Sequence, residues 1–163
     1  MPTDLIPFGY SLVLAACTVV IFVTDFRAMV IPDWTNIVLL LAGILGAAHG
    51  GREAIVSAVA FGCVIFALFW IVRRFHYALT GRVGLGMGDV KFAGVAAVWL
   101  SPLDFPLFLL LASLSALVYF FVAYRNHSEP TTVRVPFGPF LAASLLGVWH
   151  FEQFGLQLMD LKL

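Results

Sequence analysis

Three carboxylates in this sequence lie where solvation does not account for them. Six of the nine acidic residues fall in short turns, polar stretches or chain ends, where water satisfies a carboxylate. These six are Asp4, Glu53, Asp104, Glu129, Glu152 and Asp160. Asp25, Asp33 and Asp89 remain, each beside an apolar run, and an acid in that position is a candidate functional group.

Asp25 and Asp89 are suited to acid–base catalysis if the fold brings them together. Two carboxylates within a few ångströms cannot both ionise readily, so one keeps a proton near neutral pH. The ionised member takes a proton from a water molecule that attacks a peptide carbonyl, while the protonated member hydrogen-bonds the carbonyl oxygen. This chemistry needs no metal or other cofactor, and no cluster of cysteine and histidine with metal-ligand spacing occurs in the sequence.

Each of the three acids also has a structural interpretation. Asp33 follows Pro32 and precedes an apolar run, where a carboxylate accepts hydrogen bonds from the free amides of a helix start. Asp25 ends a long apolar run, where no capping role follows, but it can form an ion pair with Arg27 or with another loop arginine. Asp89 can cap a helix that follows a glycine hinge.

Asp89 ends a glycine-rich segment. Residues 81–91 read Gly-Arg-Val-Gly-Leu-Gly-Met-Gly-Asp-Val-Lys, with Gly84, Gly86 and Gly88 at alternate positions. Glycine permits positive φ and the close approach of another backbone, so this segment is predicted to lie against an extended peptide. A phosphate-binding loop is disfavoured, because no Gly-Lys-Ser/Thr ending is present.

The elements that position these acids are predicted to be membrane helices. Of the 163 residues, 62% are hydrophobic and 11% charged, which excludes an ordinary soluble domain and a disordered chain. The net charge is zero, so no nucleic-acid partner is predicted. A bilayer core needs about 20 apolar residues per helix. Six charge-free runs are candidates, of which the fourth is short: 5–24, 35–51, 54–72, 92–103, 105–124 and 135–151. We therefore expect an all-α integral membrane protein with six transmembrane helices in a single domain, residues 1–163, the fourth helix starting near Asp89.

The distribution of basic residues predicts the orientation. Seven of the nine lie in the connections after the first, third and fifth runs: Arg27, Arg73, Arg74, Arg82, Lys91, Arg125 and Arg134. Because basic residues are retained in the cytoplasm, these connections are predicted to be cytoplasmic and both termini to lie on the outer, periplasmic side. The longest connection, residues 73–91, would then carry the candidate site at the cytoplasmic face.

Three motifs occur in order along the chain. An aspartate, six residues and Pro-Asp occupy 25–33; Gly-x-Gly-Asp followed closely by lysine occupies 86–91; Pro-Phe-Gly-Pro occupies 136–139. With six apolar runs, this pattern resembles the type IV prepilin leader peptidases, a family of membrane aspartic peptidases, over nearly the whole chain.

The resemblance implies a function and a location. The implied reaction is removal of a short, positively charged leader from prepilin-like membrane substrates at the cytoplasmic face of the bacterial inner membrane, typically after a glycine that precedes the substrate's apolar helix. Asp25 and Asp89 would be the catalytic pair and Asp33 a structural acid. Larger members carry an N-terminal region with paired cysteines linked to methylation. Nothing here corresponds to that region, so we expect a peptidase without methyltransferase activity.

Further residues are candidates for binding substrate or shaping the site, together with the three glycines. Lys91 can lower the pKa of Asp89, contact a substrate carboxylate or extend to lipid headgroups. Pro136 and Gly138 belong to a predicted helix start with prolines in its first turn, and the resemblance adds a role in shaping the site. His76, in the predicted long loop, is interpreted as a solvated or interfacial histidine, with assistance to the site as the alternative.

Two other classes of protein fit some of these observations. A small transporter or channel would use the two acids to relay protons or bind a cation, and predicts acids near the bilayer midplane with inverted repeats. The predicted position of both acids at one interface counts against it. In a membrane scaffold without activity, neither acid would have a chemical role.

Overall fold

The computed structural model of the chain describes residues 5–125 and 135–160, and the side chains of residues 8–125 and 135–153. Within these ranges the chain forms six α-helices and no strand, which confirms the expected all-helical fold. The helices are α1 (Leu5–Ala28), α2 (Asp33–Ala48), α3 (Gly51–Thr80), α4 (Met87–Trp99), α5 (Phe105–Tyr124) and α6 (Gly138–Asp160).

Three of the described helices are long and apolar enough to cross a membrane. They are Phe8–Ala28 of α1, the whole of α3 and the whole of α5. The outer surface of the bundle is apolar as well: Leu12, Val64 and Val122 are 63%, 61% and 70% exposed. Soluble proteins cover such a surface with polar side chains, so these helices indicate a membrane protein. Helix α2, with 16 residues, and α4, with 13, are shorter than a bilayer core requires. Six crossings therefore stay a prediction.

The connection between α3 and α4 is shorter than predicted. Helix α3 continues past its apolar run to Thr80 and ends at Gly81, whose φ of 65° is left-handed. The Gly81 N–H donates to the carbonyl oxygen of Tyr77 at 2.9 Å, which closes the helix. The connection is therefore residues 81–86, and the predicted long loop of residues 73–91 is wrong. Arginines that follow an apolar run do not end a helix, because arginine is a good helix former.

Helix α4 lies at the centre of the bundle, in contact with α2, α3 and α6. Over Val90–Val98 every side chain but one is buried. A Cβ on Gly62 of α3 would lie 2.9 Å from the carbonyl oxygen of Gly94, so glycines allow α3 and α4 to pack closely. The Trp99 indole N–H donates to the Leu39 carbonyl oxygen at 2.8 Å and links α4 to α2. The helix that carries Asp89 is thus held on three sides.

Helix α6 packs against α1, α4 and α5. The Ser144 hydroxyl donates to the Phe108 carbonyl oxygen of α5 at 2.7 Å, and the Thr18 hydroxyl of α1 donates to the Ala142 carbonyl oxygen at 3.4 Å. These contacts satisfy polar groups inside the bundle and hold the start of α6 beside the end of α1.

Candidate active site

Asp25 lies in the last turn of α1 and is only 5% exposed. The chain turns sharply after this helix. Met29 has a φ of 52°, and its N–H donates to the Asp25 carbonyl oxygen at 2.9 Å. This left-handed residue ends α1 and leads the chain to Ile31, which is also 5% exposed.

The Asp25 carboxylate is held by the start of α6. The N–H of Gly138, the first residue of α6, donates to Asp25 Oδ2 at 2.9 Å. The first N–H groups of a helix have no partner within it and carry the positive end of its dipole, so they suit a carboxylate. Among the described side chains, Asp25 forms no ion pair with Arg27 or with another arginine. In residues 8–125 and 135–153 the ion pair found joins Lys91 to Asp33.

Asp89 is the third residue of α4 and lies close to the residue that precedes the helix, Gly86. The Gly86 N–H hydrogen-bonds the Asp89 carboxylate, and a Cβ on Gly86 would lie 2.7 Å from Asp89 Oδ2. An acid at the third helical position that reaches back to this N–H forms half of a capping box. The residue in the capping position is thus Gly86 and not Asp89 as the structural interpretation expected, and the bond leaves the Asp89 carboxylate further acceptor positions.

Ile31 lies between the helix starts that hold the two acids. A Cβ on Gly88 of α4 would lie 3.2 Å from Ile31 Cβ. A Cβ on Gly138 of α6 would lie 2.9 Å from Ile31 Cγ1 and 2.9 Å from Asp25 Oδ2. The end of α1 and the starts of α4 and α6 therefore meet at one place, with Asp25 and Asp89 both at that end of the bundle.

Burial and the charge of Asp25 raise the pKa of Asp89. Asp89 precedes the apolar run 92–103, and its pKa is raised from the ordinary value of 3.8 to about 6. Burial is the largest cause, the charge of Asp25 is the second, and the hydrogen bond from Gly86 acts in the opposite direction. Like charges raise the pKa of a carboxyl in this way when they share a site.

Lys91 pairs with Asp33. Its Nζ donates to Asp33 Oδ1 at 2.6 Å, with the two side chains 38% and 69% exposed. Asp33 is the first residue of α2, as a structural acid should be, but the residue in the capping position is Pro32 and no side chain caps this helix. The expectation that Asp33 acts on the amides of the helix start is thus replaced by a link between α2 and α4. Contact of Lys91 with a substrate stays a prediction.

The connection between α3 and α4 is held by the end of α3. The Arg73 guanidinium donates to the Leu85 carbonyl oxygen, and His76 Nδ1 hydrogen-bonds the Arg82 carbonyl oxygen at 3.1 Å. A Cβ on Gly84 would lie 2.6 Å from the His76 ring. His76 is therefore a helical residue that orders the loop rather than a residue of a long loop. The three predicted glycines each accommodate a side chain of this protein, and their contact with substrate stays a prediction.

The Pro-Phe-Gly-Pro motif forms the start of α6. Pro139 is the second residue of the helix and fully buried, which confirms a proline in the first turn. Pro136 is buried too and precedes the helix by two residues. The Phe137 carbonyl oxygen accepts two N–H groups of the next turn at 3.1 Å. Gly138 allows the closest approach, because a side chain there would overlap Asp25.

Two residues of this arrangement were missed from the sequence. In the sequence, Ile31 is one apolar residue between Asp25 and Pro32. An isoleucine in the turn between two helices indicates that the turn packs against the rest of the protein. Arg73 contributes only to the predicted orientation, whereas its place about two turns before a glycine-rich connection is suited to binding loop carbonyl groups.

Comparison with known proteins adds the family. The sequence model of the type IV leader peptidase family matches residues 12–121, a stretch that includes both acids. Proteins named prepilin leader peptidase/N-methyltransferase are similar in sequence. That of Aeromonas salmonicida (strain A449) is 32% identical over 138 residues, which are 81% of this chain and 45% of the relative. That of Dichelobacter nodosus is 27% identical over 158 residues, 97% of this chain and 53% of the relative.

The relative from Escherichia coli (strain K12) is 32% identical over 124 residues, 74% of this chain and 53% of the relative. The chain thus spans about half the length of the curated relatives it matches. No solved structure matches it significantly. Because the family match covers more than half of the 163 residues, this chain belongs to the type IV leader peptidase family.

Proposed function

We propose that this chain is a membrane aspartic endopeptidase that removes the short leader of type IV prepilin-like substrates at the cytoplasmic face of the bacterial inner membrane. Asp25 and Asp89 are the proposed catalytic pair. One observation carries the proposal: each carboxylate is held by a backbone N–H at a helix start, from Gly138 and Gly86, at the same end of the bundle. The family match supports the peptidase reaction.

The proposed pair works with one shared proton. The ionised carboxylate accepts a proton from a water molecule as the water oxygen bonds to the carbonyl carbon of the scissile peptide. The protonated carboxylate hydrogen-bonds the carbonyl oxygen and stabilises the charge that develops there. The tetrahedral adduct then collapses, the C–N bond breaks, and a proton passes to the leaving amine. Asp89, with its pKa raised to about 6, holds a proton at higher pH than an exposed aspartate does.

The fixed backbone donors give this chemistry its geometry. The Gly138 N–H holds Asp25 Oδ2 at 2.9 Å, and the Gly86 N–H holds the Asp89 carboxylate. Neither carboxylate therefore relies on a mobile side chain for its position, and preorganised acids of this kind lower the barrier to reaction.

Single substitutions test the proposed pair. Asp25→Asn and Asp89→Asn keep the shape of the side chain but cannot act as base, so we expect each to abolish leader removal from a tagged prepilin expressed in the same cells. Glu53→Gln is the matched control: Glu53 is an exposed acid in the first turn of α3, and this variant should process the prepilin. Normal processing by either Asp25→Asn or Asp89→Asn, at equal expression, would show that the pair is not catalytic.

Reporter insertions test the proposed orientation. Val83, in the connection between α3 and α4, is 61% exposed, and Leu103, in the turn before α5, is 90% exposed. A fluorescent protein that folds only in the cytoplasm should be bright at Val83 and dark at Leu103, and alkaline phosphatase should show the reverse. The opposite pattern would place the acids at the outer face and contradict the proposal.

The names of the relatives also include N-methyltransferase. The expectation that this chain lacks methyl transfer is a separate prediction. Incubation of the cleaved product with the enzyme and labelled S-adenosylmethionine should leave the new N-terminus unlabelled, and label at that amine would overturn the expectation.

A further inference from the structure

An apolar groove of about 490 Å³ runs between α2, α3 and α4. Its walls include Ile37, Ile44, Val59 and Val98, and its one charged end is formed by the pair of Asp33 and Lys91. From Asp33 to Ile44 the wall supplied by α2 rises about 16 Å, or three helical turns. The groove therefore has a polar end and a long apolar body.

The polar end lies next to the proposed catalytic pair. Lys91 is two residues beyond Asp89 on α4, and Asp33 is two residues beyond Ile31, which contacts Gly88 and Gly138. A bound polypeptide that lies in the groove and ends at the Asp33–Lys91 pair would therefore be only a few residues from Asp25 and Asp89.

The groove contains a buried polar side chain, Asn36, without a hydrogen-bond partner among the described residues. It lines the groove one turn above Asp33 and is 5% exposed. Within the described part of the chain neither its Nδ2 nor its Oδ1 has a hydrogen-bond partner. A buried amide left in this way is destabilising, since it loses its bonds to water and gains none. The amide supplies two donors and one carbonyl acceptor, so a partner that both donates and accepts would satisfy it.

The possible occupants of the groove differ in whether they can hydrogen-bond to Asn36. A lipid acyl chain fills apolar space but offers no hydrogen bond. The middle of an apolar helix offers none from its backbone either, because each N–H and C=O is paired within the helix. The first residues of a helix and the residues just before it have free backbone groups, which pair with a carboxamide. The occupant that fits is a chain that enters as extended backbone and continues as an apolar helix.

We propose that this groove receives the apolar helix of the membrane substrate, with Asn36 hydrogen-bonding the backbone at the start of that helix. The inference rests on the proposed function and deepens it, because it names the surface that brings the scissile bond to Asp25 and Asp89. The apolar body of the groove binds the substrate helix, and its polar end accommodates the residues that precede the helix.

Cross-linking tests the location of the substrate helix directly. Cys63 lines the groove, while the next residue, Val64, is 61% exposed and is not part of it. Cys17 is buried and is replaced by alanine throughout. Full-length enzyme carrying Asp89→Asn is co-expressed in membranes with a prepilin that has single cysteines along its helix, and is then treated with copper phenanthroline.

We expect Cys63 to form disulfides with substrate positions three or four residues apart, on one face of the substrate helix. The matched control, Cys63→Ala with Val64→Cys, should form few. Equal cross-linking from both positions, no cross-linking from Cys63, or mainly enzyme-to-enzyme disulfides would each overturn the proposal.

Kinetics test the role of Asn36. In Asn36→Leu we expect the KM for prepilin to rise about tenfold, because a hydrogen bond to bound substrate is lost, with thermal stability equal to or above that of the wild type, because an unpaired buried amide has been removed. Val64→Trp, outside the groove, should leave KM unchanged, and Cys63→Trp, within it, should raise KM. An unchanged KM in both Asn36→Leu and Cys63→Trp would contradict the inference. Failure of the wild-type enzyme to cleave prepilin would instead contradict the proposed function.

Discussion

Replacing Gly138 with alanine would put a methyl group between Asp25 and Ile31. The added carbon lies 2.9 Å from Asp25 Oδ2 and 2.9 Å from Ile31 Cγ1, whereas ordinary van der Waals contact begins near 3.4 Å. One of the neighbours must therefore move by about 0.5 Å. Ile31 has little room on its other side, where it lies against Gly88. The expected result is displacement of the Asp25 carboxylate and a weaker hydrogen bond from the Gly138 N–H.

The displacement should be visible in the rate. A hydrogen bond to a charged group contributes about 1.5 to 3 kcal/mol. Misplacement of a catalytic group by about 1 Å costs about a hundredfold in rate. We therefore expect Gly138→Ala to lower kcat/KM for prepilin by about ten- to a hundredfold. The assay is cleavage of purified prepilin by purified enzyme, with equal amounts of folded protein established by thermal denaturation.

Gly147→Ala is the matched control. Gly147 lies in the same helix, and a Cβ there would have no atom within 4 Å, so this variant should cleave at the wild-type rate. It should be equally or more stable, because alanine restricts the unfolded chain more than glycine does. If Gly138→Ala cleaves prepilin within about twofold of Gly147→Ala, the contact with Asp25 does not position a catalytic group and the reasoning is refuted.

Three other predictions concern the second acid and the pair at the groove. Gly86→Ala would place a methyl carbon 2.7 Å from Asp89 Oδ2 and should lower kcat/KM about tenfold, whereas Gly9→Ala, with nothing within 4 Å, should not; equal rates would contradict the contact. Lys91→Met removes an ion pair whose side chains are 38% and 69% exposed, so thermal denaturation should show a loss below about 1 kcal/mol, and a larger loss would mean that the pair with Asp33 holds the fold. The pKa of about 6 for Asp89 predicts that kcat/KM falls as pH rises above about 6, because deprotonation removes the acid of the pair. A value of kcat/KM that stays unchanged from pH 6 to 9 would contradict this.

Much of the helical framework follows from the sequence. Apolar runs without charge indicate helices, and the fifth run coincides with α5, Phe105–Tyr124. The end of α3 was misplaced because charge ends an apolar run without ending a helix. The helix stops at Gly81, where the backbone adopts a left-handed conformation and the Tyr77 carbonyl oxygen is satisfied.

The contacts of the candidate site follow from the sequence only in part. Scarcity of charge singles out Asp25 and Asp89, since an acid beside an apolar run needs a reason. Their hydrogen-bond donors are the backbone N–H groups of Gly86 and Gly138. Every residue except proline has a backbone N–H, so the sequence does not show which one binds a carboxylate. Their positions depend on how helices distant in sequence pack together.

Asn36 was overlooked for a different reason. Asn36 has no charge, so the run 35–51 around it is classed as apolar. A carboxamide in such a run nevertheless needs a hydrogen-bond partner, as a carboxylate does. An uncharged polar residue within an apolar run is therefore a candidate in the same way as an acid beside one. The absence of a partner for Asn36 among the described residues is visible only from the structure.

Single-turnover cleavage in reconstituted vesicles shows whether Asp25 and Asp89 act as one catalytic unit. The rate of leader removal is measured for the wild type, Asp25→Asn, Asp89→Asn and the double variant. Residues that share a proton fail together, so we expect both single variants to lose at least about a thousandfold and the double variant to be no slower than either. A single variant with the wild-type rate, or a double variant whose loss is the product of two smaller single losses, would show that the two acids do not act as one unit.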